Sequence, residues 1–355
     1  MKKNTKINII LPLLPKKPIG GFKVLFEYAN QMVEDSCDVT IYYPKKLKPE
    51  NIKKGLCHKF LLKVFQLLKK FKKHNVIWFN LNKKVKEEYV YTLEEKYIKE
   101  ADIIIATSWE TAAWIGNYST GKGKKLYLIQ GFETWSGTKE EIFATWRMPF
   151  QKIAIAQWLK NLINEIGEEC SIIRNGLDHE AFGIDINIAD RNHNKISMLY
   201  HKSEIKGSGI GIEALKIVKK SIPNLEVDFF STYKRNTKIP KFINYYVKPK
   251  NLRKIYNNSS IFITTSFTEG WGLPRAEAML CGCATIITNI EGHKDYGIDG
   301  EHYLMVPPKD SNELANTIIK LIDNKELMYK ISESGNKLMK KFSWESSYQQ
   351  MKTNF

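Results

Sequence analysis

The sequence predicts an α/β protein built as two doubly wound, Rossmann-like domains, each a parallel sheet wrapped by helices. Three observations carry that expectation. The chain of 355 residues is long enough for two separate cores. Short β-branched apolar runs alternate with helical stretches through both halves, as βαβ units require. Glycine-containing loops follow several of these runs, where open α/β sheets bind their ligands.

In the first half the strand-like runs are Lys6–Leu11, Val39–Tyr43, Val76–Phe79, Asp102–Ala106, Lys125–Ile129 and Lys152–Ala156, interleaved with helical patterns that include Phe22–Glu34 and Gln157–Ile166. The second half repeats the alternation, with runs at Lys195–Tyr200, Glu226–Phe230, Asn244–Val247, Ile261–Thr265, Ala284–Thr288 and Tyr303–Val306. Its helical stretches fall at Gly207–Lys220, Leu252–Asn257, Pro274–Cys281 and Ser311–Ile322, and a closing helix follows at Ser343–Met351. Between the halves, Asn175–Asn194 is rich in Asn, Asp and Gly without sustained periodicity, which reads as a hinge. The expected domains are 1–178 and 179–342.

Composition narrows the class. Hydrophobic residues make up 43% of the chain and aromatics 12%, which excludes a disordered polymer. No apolar run approaches the roughly 20 residues of a membrane span, and the basic start of the chain runs into a strand ending at Pro12, so neither secretion nor a transmembrane anchor is expected. Five scattered cysteines fit reduced thiols in a cytoplasmic protein, and Cys281-x-Cys283 lacks nearby partners for zinc, so no metal site is expected. Net charge is +17, and residues 1–100 hold 22 lysines against 10 carboxylates, so that half meets something anionic. Within 58–73, Lys59, Lys63, Lys70 and Lys73 share one helical face, while Leu61, Val64, Phe65, Leu68 and Phe71 share another. An anionic membrane surface fits that segment better than nucleic acid, for which no basic and aromatic recognition motif is present.

The chemistry concentrates in Glu269-Gly270-Trp271-Gly272-Leu273-Pro274-Arg275-Ala276-Glu277, a glycine loop between the strand Ile261–Thr265 and a helix opened by Pro274. Glycines let backbone N–H groups approach a ligand, and the helix N-terminus favours phosphate. Glu277 falls in the first helical turn by this reading, where a carboxylate also complements the dipole. Glu269 would be repelled by a phosphate and is better matched to the hydroxyl-rich end of a ligand, which suggests a nucleotide sugar. Lys206, before Gly207, puts an ammonium at a helix start, a placement that an anion would relieve.

The spacing Glu-x7-Glu, followed by Ala278-Met279-Leu280-Cys281-Gly282-Cys283-Ala284, resembles the signature of the family 4 retaining glycosyltransferases. Gly20-Gly21 after the first strand, Asn175-Gly176-Leu177-Asp178 at mid-chain and Lys206-Gly207 match in the same order. The resemblance implies a GT-B fold, with two domains facing an interdomain cleft and the closing segment 343–355 crossing back onto the first domain. It implies a hexosyl transfer from a nucleotide diphosphate sugar to a glycan or lipid-linked acceptor, without metal or other cofactor. Glu269, Lys206 and His201 would be catalytic; Glu277, Gly270, Trp271, Gly272, Leu273, Lys202, Gly20 and Gly21 would hold the donor, Glu277 at the ribose. Five positions before the lysine the family usually has arginine, where this chain has His201 followed by Lys202, so either could supply the second positive charge. Trp109, Glu110, Gln130 and Glu133 fall in loops after first-half strands, where the acceptor is expected. Cell-surface polysaccharide synthesis on the inner membrane face would suit these features. A sugar-nucleotide epimerase and a non-catalytic GT-B partner subunit are the rivals; the order of motifs opposes the first, and the presence of Glu269, Lys206 and Glu277 opposes the second.

Overall fold

The computed structural model describes residues 4–47 and 76–355, so the 58–73 segment lies outside the described residues. The chain divides into two compact units, one reaching to Arg174 and including Trp344–Phe355, the other Asn175–Ser343.

The first unit is a seven-stranded parallel sheet of β1 (Lys6–Ile10), β2 (Asp38–Pro44), β3 (Lys86–Val90), β4 (Ile103–Ala106), β5 (Lys124–Ile129), β6 (Gln151–Ala154) and β7 (Ser171–Ile172), in the order β3-β2-β1-β4-β5-β6-β7. Its central strands are nearly continuous apolar runs, because helices cover both faces: Ile7, Ile9 and Ile10 of β1 are fully buried, and Ile104 of β4 likewise. The helices are α1 (Gly20–Glu34), α2 (Trp109–Ile115), α3 (Lys139–Trp146) and α4 (Gln157–Glu165). Val76–Phe79, expected as a strand, is irregular; its Trp78 and Phe79 rings pack on Phe26 of α1, with centroids 5.6 and 5.4 Å apart. The third strand is instead the charged Lys-Glu-Glu-Tyr-Val run of β3. At the sheet edge its side chains reach solvent and ion-pair outward, with Lys86 Nζ 2.6 Å from Asp38, so an apolar pattern is not needed there.

The helix α10 (Trp344–Lys352) belongs to this first unit. Its Tyr348 hydroxyl donates to Asp35 at 3.0 Å, Lys352 pairs with the same carboxylate at 2.5 Å, and Trp344 meets Tyr28 edge-on.

The second unit is a six-stranded parallel sheet of β8 (Lys195–Leu199), β9 (Glu226–Ser231), β10 (Ile243–Val247), β11 (Ile261–Thr264), β12 (Ala284–Thr288) and β13 (Leu304–Val306), in the order β10-β9-β8-β11-β12-β13. Around it lie α5 (Ser208–Ser221), α6 (Leu252–Asn257), α7 (Leu273–Leu280), α8 (Ser311–Asp323) and α9 (Lys325–Met339). The core gathers Ile196, Val227, Phe229, Ile263 and Ile286 from the strands with Leu215, Ile318 and Ile331 from the helices. The segment 175–194, which composition suggested as a hinge, is fastened to this unit. Buried Arg191 donates to the carbonyls of Ile186, Ser259 and Cys281 at 2.6 to 3.0 Å, and Arg253 forks onto Asp185.

In each sheet the strand order reverses once, between β1 and β4 and between β8 and β11. Such reversals open a crevice at the carboxyl ends of the strands, the place where doubly wound sheets take ligands.

Candidate active site

At the β8/β11 reversal, Lys206 and Glu269 meet. Lys206 ends a short turn, Glu204–Lys206, after β8, and Glu269 sits on the loop after β11; Nζ donates to Oε2 at 2.6 Å. The two loops are sewn by backbone, Phe267 N to Ile205 O at 2.7 Å, and by the Thr265 hydroxyl to Lys206 O at 3.1 Å. Gly207 makes that seam possible. Its φ of 59° is left-handed, and a Cβ there would stand 2.0 Å from Thr265 O. Both partners of the ion pair are partly exposed, 28% and 21%, so it stands at the wall of a cavity and not in the core. Burial raises the Glu269 carboxyl, but the charge and hydrogen bond of Lys206 outweigh it and hold the group below its ordinary value. Glu269 is therefore an anion at neutral pH, and Lys206 is its counter-charge.

Around the pair lies a cavity of about 30 Å³, lined by His201, Thr265, Ser266, Gly272, Pro274, Arg275 and His293 among others. Gly272, with φ 88°, caps α7, which begins at Leu273 with Pro274 second. Glu277 is thus one residue deeper in the helix than the sequence reading, at the start of the second turn, because the left-handed glycine lets the helix start ahead of the proline. It is 5% exposed, and its neighbour Tyr256 is pushed well above its ordinary value by burial first and by the Glu277 charge next. The Trp271 ring is buried, with its centroid 4.7 Å from Tyr296 and 5.6 Å from Phe342, so the loop anchors itself on the core through Trp271 and leaves Gly270 partly exposed.

His201 is held from both sides. Ser203 N–H donates to Nδ1 at 3.0 Å, which leaves the ring proton on Nε2, 3.2 Å from the Tyr233 hydroxyl. A ring whose Nδ1 accepts is neutral in this geometry. Lys202 is exposed, with Nζ 5.3 Å over the Tyr233 ring, and is the flexible cation of the two. The α5 helix opens at Ser208 with no side chain capping its first N–H groups.

In the first unit, Gly20 and Gly21 are not a loop before a helix; they are the first two residues of α1, and Gln130 Nε2 donates to Gly21 O at 3.1 Å. Trp109 and Glu110 likewise open α2 instead of lying in a loop, because Ser108 and Thr111 form a capping box that starts the helix directly after β4. Glu133 accepts from Trp109 N at 2.7 Å, and the Trp109 indole donates to Ser136 at 2.9 Å. Burial pushes the Glu133 carboxyl up to about 8, against the lowering effect of that N–H, with Glu110 adding a smaller push.

Residues 232–338, inside the second unit, match the family model of the glycosyl transferases group 1. The whole chain superposes on HepE of Anabaena, solved in complex with UDP-glucose, with a TM-score of 0.74 at 16% identity over 99% of each chain. It superposes similarly on TarM, with a TM-score of 0.73 at 11% identity over 99% of this chain and 98% of that one. The chain thus has the GT-B fold, and its second unit contains a segment similar to the glycosyl transferases group 1. In sequence it is 24% identical to the capsular polysaccharide biosynthesis glycosyltransferase CapM of Staphylococcus aureus, over 72% of this chain and 77% of that one. It is 27% identical to an uncharacterized glycosyltransferase of Methanocaldococcus jannaschii, a match that spans 57% of each.

Three residues of the site escaped sequence reasoning. His293 and Arg275 line the cavity from beneath, and Gly292 lets their turn press on the loop, since a Cβ there would lie 1.9 Å from Glu269 O. Arg275 lay inside the Glu269–Glu277 motif without a role of its own, and Gly292-His293 offered the other signal, a glycine and a histidine at the carboxyl end of β12 next to the motif.

Proposed function

We propose that this protein is a retaining glycosyltransferase that moves a hexosyl group from a nucleotide diphosphate sugar to a hydroxyl of a glycan or lipid-linked glycan, in the synthesis of a cell-surface polysaccharide or glycoconjugate. The observation that carries the proposal is the Lys206–Glu269 ion pair at the strand-order reversal of the second sheet. A cation and a carboxylate that face one cavity suit a ligand with a phosphate end and a hydroxyl end. On donor binding the diphosphate takes the Lys206 ammonium, and Glu269, released, accepts from sugar hydroxyls.

The chemical demand is to stabilise negative charge growing on the departing diphosphate. Lys206, the N–H groups at the open start of α5 and those of the Gly270–Leu273 loop, and the exposed ammonium of Lys202 can meet it by fixed charge and dipoles, so we propose a metal-independent reaction. Retention follows in the family's usual scheme, where a leaving phosphate oxygen takes the acceptor proton on the same face of the sugar and no enzyme nucleophile is used. Glu277 is assigned to the nucleoside and Gly20 and Gly21 to the phosphate. Trp109, Glu110, Gln130 and Glu133 are assigned to the acceptor side. The likeness to CapM supports the polysaccharide setting, and the UDP-glucose complex of HepE supports a nucleotide sugar.

The test is a thermal-shift screen against UDP, GDP, dTDP and ADP and their hexose conjugates, followed by release of the diphosphate in the presence of acceptor. One nucleotide should stabilise the protein, its conjugate more so, and turnover should survive EDTA. No stabilisation by any of them would overturn the proposal.

A further inference from the structure

Beneath the ion pair, the cavity is floored by two buried polar side chains to which the reaction outlined above gives no role. His293 is fully buried and Arg275 is 1% exposed. His293 Nδ1 lies 2.9 Å from Thr288 O, and a carbonyl only accepts, so Nδ1 carries the proton and Nε2 presents a lone pair. Burial and the Arg275 charge push this imidazole down to about 3, so it stays neutral at any physiological pH. Nε2 is buried and has no partner. Arg275 donates through Nε to the Tyr296 hydroxyl at 2.7 Å and through Nη1 to His293 O at 2.8 Å, with its guanidinium 3.8 Å over the Tyr296 ring, while buried Nη2 has no partner.

One unmet acceptor and one unmet donor therefore sit on neighbouring side chains of a single cavity. Each is costly inside a protein unless a ligand or solvent group completes it. Gly272 locates them relative to Glu269. The place its missing side chain would take is flanked by Glu269 Cγ at 3.7 Å, His293 Cδ2 at 3.8 Å and the Tyr296 hydroxyl at 3.8 Å. The gap over Gly272 is thus walled by the Glu269 side chain on one side and by the Cδ2–Nε2 edge of the imidazole on another. A phosphate or carboxylate has no proton to give Nε2 at neutral pH, and a methyl group completes neither atom. A group that both donates and accepts, as a hydroxyl does, can complete both.

We infer that His293 and Arg275 form a hydroxyl-reading subsite for the transferred sugar, with Nε2 accepting from and Nη2 donating to one ring hydroxyl, so that the pair helps decide which hexose is used. The inference rests on the proposed donor reading of this cavity. A site that leaves a buried donor and acceptor unpaired rejects a substrate lacking the matching hydroxyl far more strongly than an apolar pocket rejects a missing methylene.

The experiment takes the nucleotide hexose that the wild type turns over fastest among the UDP, GDP, dTDP and ADP conjugates, together with its 2-, 3-, 4- and 6-deoxy forms. In the wild type, kcat/KM should drop at least a hundredfold for one deoxy position. His293→Leu, which removes the lone pair at similar volume, should lose at least tenfold on the parent sugar and little more on that deoxy donor. Arg275→Gln provides the same comparison if the leucine variant does not fold, as judged by circular dichroism. Calorimetry with the matching nucleoside diphosphate should show its affinity unchanged within twofold in both. Discrimination against the deoxy donors that is the same in wild type and variants would overturn the subsite while leaving the donor reading in place. Failure of the wild type to bind any of the UDP, GDP, dTDP and ADP hexoses would overturn both.

Discussion

At its strand-order reversal the second unit carries an ion pair, two buried polar side chains and glycines at which a Cβ would strike backbone. The first unit furnishes its own reversal with a seven-residue capped helix, an indole wedged against Gly137 and a carboxyl that burial holds largely protonated. One crevice is organised by charge, the other by shape. The contrast bears on where recognition of the acceptor is expected to reside. On the proposed reading, fixed charges suit a ligand part that every turnover shares, the diphosphate, and the family match lies wholly on that unit. A neutral, pinned loop suits a partner recognised by contour and hydrogen bonds.

The sharpest way to break this contrast is to remove the charge. Lys206→Ala should lower kcat about 100- to 1000-fold, the usual cost of losing one fixed donor to a developing anion. Glu133→Gln in the first unit should leave kcat within about tenfold at saturating acceptor, since a neutral carboxyl and an amide are alike in charge. Steady-state kinetics of the two variants settles the order, and equal losses would erase the distinction.

The backbone seam gives the next largest effect. Gly207→Ala must strain a left-handed φ and push a methyl to 2.0 Å from Thr265 O. It should cost about 3 kcal/mol in a denaturant titration, from conformational strain and overpacking together. A neutral substitution would mean that the loops after β8 and β11 are not held at that distance in solution.

A smaller effect separates the units by pH. Glu133 moves from an ordinary 4.5 to about 8 on folding. Between those values the folded protein keeps a proton that the unfolded chain has lost, so this group makes stability fall as pH rises through that window. Glu133→Gln should flatten that decline, measured as denaturation midpoints at pH 5 and pH 8. Glu269 acts with the opposite sign. Its folded carboxyl is held low, so its contribution is present above the ordinary carboxylate value and is lost as pH drops through the lowered one. An unchanged slope in Glu133→Gln would show that this carboxyl is solvated.

The smallest effect on catalysis concerns 58–73, whose expected role comes from the sequence alone. Changing Lys59, Lys63, Lys70 and Lys73 together to Gln should release the protein from phosphatidylglycerol vesicles at low salt, with about 1 kcal/mol lost per lysine, and leave transfer to a soluble acceptor intact. Flotation of the wild type checks it first; absence of binding would remove the membrane surface as a partner.

Much of the fold was legible because parallel strands covered on both faces must be apolar runs, and Ala284–Thr288 is at once the sequence run and β12. Where that demand relaxes, the pattern fails. β3 at the sheet edge is charged, and α2 and α3 are short helices begun by capping boxes, not by apolar periodicity. In the site, Glu269 and Lys206 stood out because each was electrostatically out of place for its local element. His293 and Arg275 did not, since a histidine and an arginine look solvent-bound until tertiary packing buries them. Trp271 reads as a ligand residue in the motif, yet its ring is consumed by the aromatic cluster with Tyr296 and Phe342.

The central claim is that the donor opens the Lys206–Glu269 pair and divides it between phosphate and sugar. Titration calorimetry tests it directly, with the selected nucleoside diphosphate and its hexose conjugate against wild type, Lys206→Ala and Glu269→Ala. Lys206→Ala should weaken both ligands. Glu269→Ala should bind the bare diphosphate at least as tightly as wild type, because no ion pair then has to be broken, and should lose only the extra affinity of the conjugate. Equal weakening of the bare diphosphate in both variants would contradict the account.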